Sequence, residues 1–151
     1  MSHVAKVELK VTDLDDLAAA CADVGCTFDR DATEWEWYGE WEQDYDSEDA
    51  AFRHGIAPER YGTSDAGVIR VPGASYEIGV YRLPDGTFGL VYDNFNKGRG
   101  IETHLGAGLP RLRQTYADRR TAKSFMELRA KGYTVQRREL EDGSVQYVAV
   151  Q

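Results

Sequence analysis

Apolar and polar residues alternate from Val4 to Val11 (VAKVELKV), as in a strand with one buried face. The period then changes. Leu14, Leu17, Ala18, Cys21 and Val24 fall at helical spacing. Thr12, with Asp15 three positions on, reads as a capping box with Asp in place of Glu, and Gly25 supplies a left-handed stop. A short strand is expected at residues 26–28. Residues 29–61 show no clean period and read as an inserted loop with one helical turn near 49–54. Residues 68–71, 76–83 and 87–92 read as three strands, separated by Pro72-Gly73 and Pro84-Asp85-Gly86. A glycine-rich linker, residues 97–108, leads to a helix that opens on Pro110 and runs to about Lys131, with Gly132 as its stop. Its apolar stripe is Leu112, Tyr116, Ala122, Phe125 and Met126. A hairpin follows, residues 133–140 and 144–150, with Asp142-Gly143 in a type I′ turn.

The order β-α-β-(insertion)-β-β-β-α-β-β contains no repeat of strand, helix, parallel strand. It predicts an α+β fold, a mainly antiparallel sheet with two helices packed on one face. The 151 residues fit a single domain spanning 1–151. A chain of this length buries about two-thirds of its unfolded surface and needs no covalent staple. No apolar run approaches the roughly 18 residues of a membrane span. The opening residues lack the basic-then-apolar layout of a signal peptide, so the expected location is cytoplasmic. Cys21 and Cys26 match no metal motif; free buried thiols are expected, with a regulatory disulfide as the alternative.

Charge changes the picture more than composition does. The net charge is −8, yet residues 29–50 hold ten acids against Arg30 alone, while residues 97–138 hold eleven bases against three acids. The chain is therefore polarised along its length. Trp35, Trp37, Tyr38, Trp41 and Tyr45 are interleaved with the acids. These aromatics either cover a flank of the core or anchor a protein partner with a basic surface, a second copy of the chain included. The basic half alone would suit nucleic acid, but the acidic insertion repels phosphate and no recognition motif is present.

Motifs for catalysis are missing. His3, His54 and His104 stand at no ligand spacing, and the latter two fall in expected loops, where a solvated imidazole is the ordinary state. There is no Gly-x-Ser-x-Gly, no Walker loop and no dinucleotide fingerprint. Gly98, Gly100, Gly106 and Gly108 precede a helix whose first amides suit an anion, but with no Walker or dinucleotide motif a flexible crossover is the better reading. No catalytic residue, metal or cofactor is expected. The ligand-binding candidates are Glu77 and Asp93, acids in or beside the three-strand segment, and Arg119, which helical geometry places on the arc of Leu112, Tyr116 and Met126. Gln114 and Tyr116 are its neighbours on that helix.

Blocks of the chain resemble a known family. They are Asp13 with a helix ending Asp23-Val24-Gly25; Tyr76-Glu77-Ile78-Gly79 followed by Leu90-Val91-Tyr92-Asp93; Gln114-x-Tyr116-Ala117; and Gly132-Tyr133-x-Val135 with Asp142-Gly143-Ser144. In order and spacing they are similar to the hypothetical chloroplast reading frame 35 family, a domain of unknown function. Glu77 stands where that family usually has Asp, Asn94-Phe95 replaces its aromatic pair, and the acidic insertion is unusual for it. The resemblance implies an accessory or adaptor role beside an AAA-type ATPase, with no established activity.

The sequence thus points to a non-catalytic binding or adaptor protein. One alternative is a small-ligand sensor or enzyme with a pocket around Glu77, Asp93, Tyr116 and Arg119. The other is a structural homo-oligomer that joins acidic loop to basic helix.

Overall fold

In the computed structural model, residues 4–38 and 61–151 are described. Five strands form one antiparallel sheet: β1 (Val4–Lys6), β2 (Thr27–Asp29), β3 (Gly67–Arg70), β4 (Ile78–Arg82) and β5 (Phe88–Asp93), in the spatial order β1-β5-β4-β3-β2. Among the described residues the α-helices are α1 (Leu14–Asp23), the short α2 (Ile101–Leu105) and α3 (Pro110–Ala130). Strands β6 (Thr134–Glu139) and β7 (Val145–Val150) pair with each other as a separate two-stranded sheet. The fold is α+β and mainly antiparallel, as expected. No helix among the described residues is long and apolar enough to cross a membrane.

Contacts divide the chain into two compact units, residues 1–116 and 117–151. The first holds the five-stranded sheet and both buried clusters. On one sheet face, Ile69, Ile78, Val80, Leu90 and Tyr92 pack with Leu17, Ala20 and Cys21 of α1, with Ile101 and Leu105 of α2, and with Leu109, Leu112 and Tyr116. On the other face, Val68, Tyr81 and Val91 pack with Trp35 and Tyr61. Every residue of β5 is buried. That explains why its sequence runs apolar without alternation, since both faces of a central strand are covered here. The second unit holds the later turns of α3 and the β6–β7 hairpin, where Phe125 and Tyr147 stack with ring centroids 4.6 Å apart.

Several local expectations are corrected. The N-cap of α1 is Asp13, whose carboxylate accepts from Asp15 N at 2.8 Å and Asp16 N at 3.2 Å. Thr12 is engaged elsewhere: its amide donates to the Tyr116 hydroxyl at 3.0 Å, and its own hydroxyl lies 3.4 Å from the same oxygen. The 97–108 segment is ordered rather than a linker. It contains α2 and, before it, a left-handed turn in which Asn96, Lys97, Gly98 and Arg99 have φ of 49°, 59°, 68° and 51°. Such a run costs on the order of 1–2 kcal/mol at each non-glycine residue. It is held from both ends: Phe95 N donates to Asp93 Oδ1 at 2.9 Å, and Ser75 N donates to Arg99 O at 2.9 Å. His104 lies on α2, where its Nε2 donates to Val24 O. On α3, Leu112 and Tyr116 are buried as expected, but Met126 is 69% exposed. Arg119 is exposed as well, so it does not share the buried arc.

The β6–β7 turn is not type I′, which needs positive φ at both Asp142 and Gly143; only Gly143 has it, at 86°. Gly143 N donates to Leu140 O and Leu140 N to Ser144 O, giving a three-residue loop. The Asp142 carboxylate accepts instead from the Ser144 hydroxyl at 2.5 Å and from Ser144 N at 2.9 Å, and these bonds hold it below the usual carboxylate range.

Candidate functional site

The sheet face opposite the helices carries the border of the acidic insertion. Alternation along β4 and β5 places Gly79 and Tyr81 on this face, with Gly89, Val91 and Asp93 beside them. Continued two residues beyond Gly79↔Val91, the same register sets Glu77 opposite Asp93. The two acids are thus cross-strand neighbours, and both act on one short segment, Glu36 to Tyr38. Glu36 N donates to Glu77 Oε1 at 2.9 Å, and Glu77 N returns a bond to Glu36 O at 3.0 Å. Tyr38 N donates to Asp93 Oδ2 at 3.1 Å. Asp93 is fully buried, and its other oxygen accepts from Phe95 N. A buried carboxylate is tolerated when it is supplied with amide donors in this way.

Glu77 also ends an ionic row centred on Arg70. Arg70 Nε donates to Glu77 Oε2 and Arg70 Nη1 to Asp29 Oδ2, each at 2.9 Å. The Arg70 bond holds the Asp29 carboxyl below its usual range, and Asp29 in turn raises the guanidinium. Both groups are solvated, so this row orients more than it stabilises.

Aromatic packing closes the border. Trp35 is 3% exposed, with its Nε1 donating to Thr63 O at 2.9 Å. Its ring centroid lies 5.8 Å from that of Trp37, which meets Tyr61 edge-on at 5.6 Å. Tyr38 tilts against Phe95 at 5.3 Å. The two chain ends of the insertion are tied together as well: Trp35 N donates to Gly62 O and Ser64 N to Thr33 O, both at 2.8 Å, around a bridge between Glu34 and Thr63.

The candidates therefore sort as follows. Glu77 and Asp93 are brought together, through the backbone they share. Tyr116 is buried elsewhere, its hydroxyl accepting from the amides of Thr12 and Asp13 at 3.0 and 3.4 Å; there it fixes the entry to α1. Gln114 is exposed on α3 and Arg119 belongs to the second unit. Of the aromatics, Trp35 is buried in the core, Trp37 and Tyr38 are half-buried, and Trp41 and Tyr45 lie outside the described residues. Residues the sequence reading passed over are Arg70, Thr63 and Gly79; the apolar run around Gly79 held the signal, because a glycine in a central strand marks a close approach.

Cys21 and Cys26 are free and buried. Burial pushes the Cys21 thiol up to about 12 and raises that of Cys26 too, so neither resembles an activated nucleophile. Among the described residues, no cluster of three or more His, Cys, Asp and Glu side chains could hold a metal ion. Compared with family models, curated proteins and solved structures, the chain finds no match.

Proposed function

We propose that this protein is a non-catalytic binding module that presents its acidic, aromatic insertion to a basic protein surface. The observation that carries the reading is the clamp on both borders of residues 39–60. Trp35, Glu77 and Asp93 fix the entering chain, and Gly62, Thr63 and Ser64 fix the departing chain. An insertion held so firmly at its base, and carrying Glu40, Glu42, Asp44, Asp46, Glu48 and Asp49, suits electrostatic capture of a partner. Glu77, Asp93 and Tyr116 have their oxygens engaged by backbone amides and, at Glu77, by the Arg70 guanidinium as well, which favours this reading over a ligand pocket built from them. Kinship with the reading frame 35 family, a cytoplasmic location and an AAA-type ATPase as the partner class belong to the same proposal.

The test replaces those six acids by their amides. Cross-linked partners recovered at low salt with the unaltered chain should be lost with the variant, and lost with both at high salt. The same partners recovered with both chains at low salt would reject the reading.

A further inference from the structure

We propose that the outer edge of β7 pairs antiparallel with β7 of a second copy of this chain, in a two-fold register centred on Tyr147. The hairpin geometry fixes which backbone groups face outward. Leu140 N donates to Ser144 O at 2.9 Å, so Leu140 and Ser144 form a hydrogen-bonded pair. Pairs then alternate along Glu139↔Val145, Arg138↔Gln146 and Arg137↔Tyr147. Val145, Tyr147 and Ala149 consequently aim their backbone N–H and C=O groups away from β6. Among the described residues, β7 has no other strand beside it.

The two edges of this sheet differ in a way that selects the occupant. Strand β6 carries Arg137, Arg138 and Glu139, the charges with which proteins blunt an open edge. Strand β7, VQYVAV, carries no charge at all. Self-pairing through β6 about Arg137 would set guanidinium against guanidinium. Self-pairing through β7 about Tyr147 opposes no charges, and it sets Val145 against Ala149 of the other copy on both sides of the axis. All the outward amides and carbonyls of β7 are then used. A two-stranded sheet is marginal alone, and this pairing makes it four-stranded. The interface is isologous, the commonest way for a chain to dimerise.

Exposed apolar surface points to the same unit. Met126, Leu140, Tyr147 and Val150, the large apolar residues left most open among those described, all lie within residues 117–151. In the proposed register the two Tyr147 rings become direct neighbours, each already backed by Phe125.

The test is the mass of the full chain by light scattering, at low and at high salt. A two-chain mass at both salts is expected, because the paired edges are uncharged. Ala149→Pro removes one outward N–H without touching the β6–β7 bonds, and should weaken association roughly tenfold or more. Arg137→Pro, the equivalent change on the other edge, should leave the two-chain mass. A one-chain mass for the unaltered chain, or loss of the dimer with Arg137→Pro and not Ala149→Pro, overturns the proposal. A second readout avoids proline altogether: hydrogen-bonded antiparallel partners lie about 5.5 Å apart between Cα atoms, within disulfide range. Mild oxidation should therefore cross-link Tyr147→Cys into covalent dimers and leave Arg137→Cys uncross-linked; the reverse pattern overturns the proposal.

Discussion

The indole of Trp35 occupies the space in which a side chain at Gly79 would begin. A Cβ on Gly79 would lie 2.5 Å from Trp35 Nε1 and 2.7 Å from its Cδ1. The ring is pinned there by its bond to Thr63 O. Gly79→Ala should therefore displace the indole, break that bond and destabilise the fold by about 1–3 kcal/mol, the range for overpacking a core. Denaturant unfolding followed by tryptophan fluorescence measures it. An unfolding midpoint equal to that of the unaltered chain would mean that Trp35 does not seat the border of the insertion.

Asp93 tests the other half of that border. Both of its oxygens accept backbone N–H groups, from Tyr38 and from Phe95, at a fully buried position. Asp93→Asn keeps the shape but replaces one acceptor by a donor, setting N–H against N–H. A loss of about 1–3 kcal/mol is expected. Amide exchange at Tyr38 or Phe95 should also accelerate. If both amides keep their protection, Asp93 is not what fastens the segment to the sheet.

Much of the fold was legible in the sequence because local physics decided it. The helical stripe through Leu17 and Cys21, the stop at Gly25, Pro110 at the start of α3 and the strands of the meander all appear where periodicity places them. What was hidden depends on contacts distant in sequence. Asp13 caps α1, while the Thr12 amide and hydroxyl are taken up by Tyr116, about a hundred residues on. Lys97 and Arg99 adopt left-handed backbone against their own preference, held by Asp93 and Ser75. The candidate site was half legible. Glu77 and Asp93 stand out as acids among apolar strand residues, but their target is an N–H row on a segment with no periodicity of its own, which no pattern along the chain reveals.

Cys21 makes the fold sensitive to alkali. Burial, with a smaller contribution from Cys26, raises its thiol from 9.0 to about 12. Below pH 9 the thiol is protonated in both folded and unfolded chains, and its contribution to stability is fully present. Between pH 9 and 12 the unfolded chain releases the proton while the folded chain keeps it, so stability falls as pH rises, by at most about 1.4 kcal/mol per unit. Tyr81, also pushed up to about 12 by burial, adds to the loss above pH 10. Unfolding free energy measured from pH 8 to 11 should decline, and Cys21→Ala should flatten the part below pH 10. A Cys21→Ala chain with the same slope would exclude this thiol as the cause.

Two hairpins of the chain are closed by the same turn, and this separates the stabilities of its two units. Leu83-Pro84-Asp85-Gly86-Thr87 and Leu140-Glu141-Asp142-Gly143-Ser144 make matching bonds: the glycine amide to the leucine carbonyl, the leucine amide to the carbonyl of Thr87 or Ser144, and the aspartate to the amide and hydroxyl of that same residue. Gly86 and Gly143 share a φ of 86°, and a Cβ on either would meet nothing within 4 Å. Gly86→Ala and Gly143→Ala therefore carry the same local penalty, about 1 kcal/mol of left-handed backbone, with no steric difference to confuse the comparison. The consequences should differ. Gly86 joins β4 to β5, the centre of the larger unit, so its loss lowers the global unfolding free energy by that amount. Gly143 joins β6 to β7, whose residues are mostly exposed, so its loss should appear as faster amide exchange within residues 134–150 while the global value holds. Asn at either position, which tolerates left-handed backbone, should recover part of each effect. If Gly143→Ala lowers global stability as much as Gly86→Ala does, the two units unfold together and the hairpin is part of one cooperative structure.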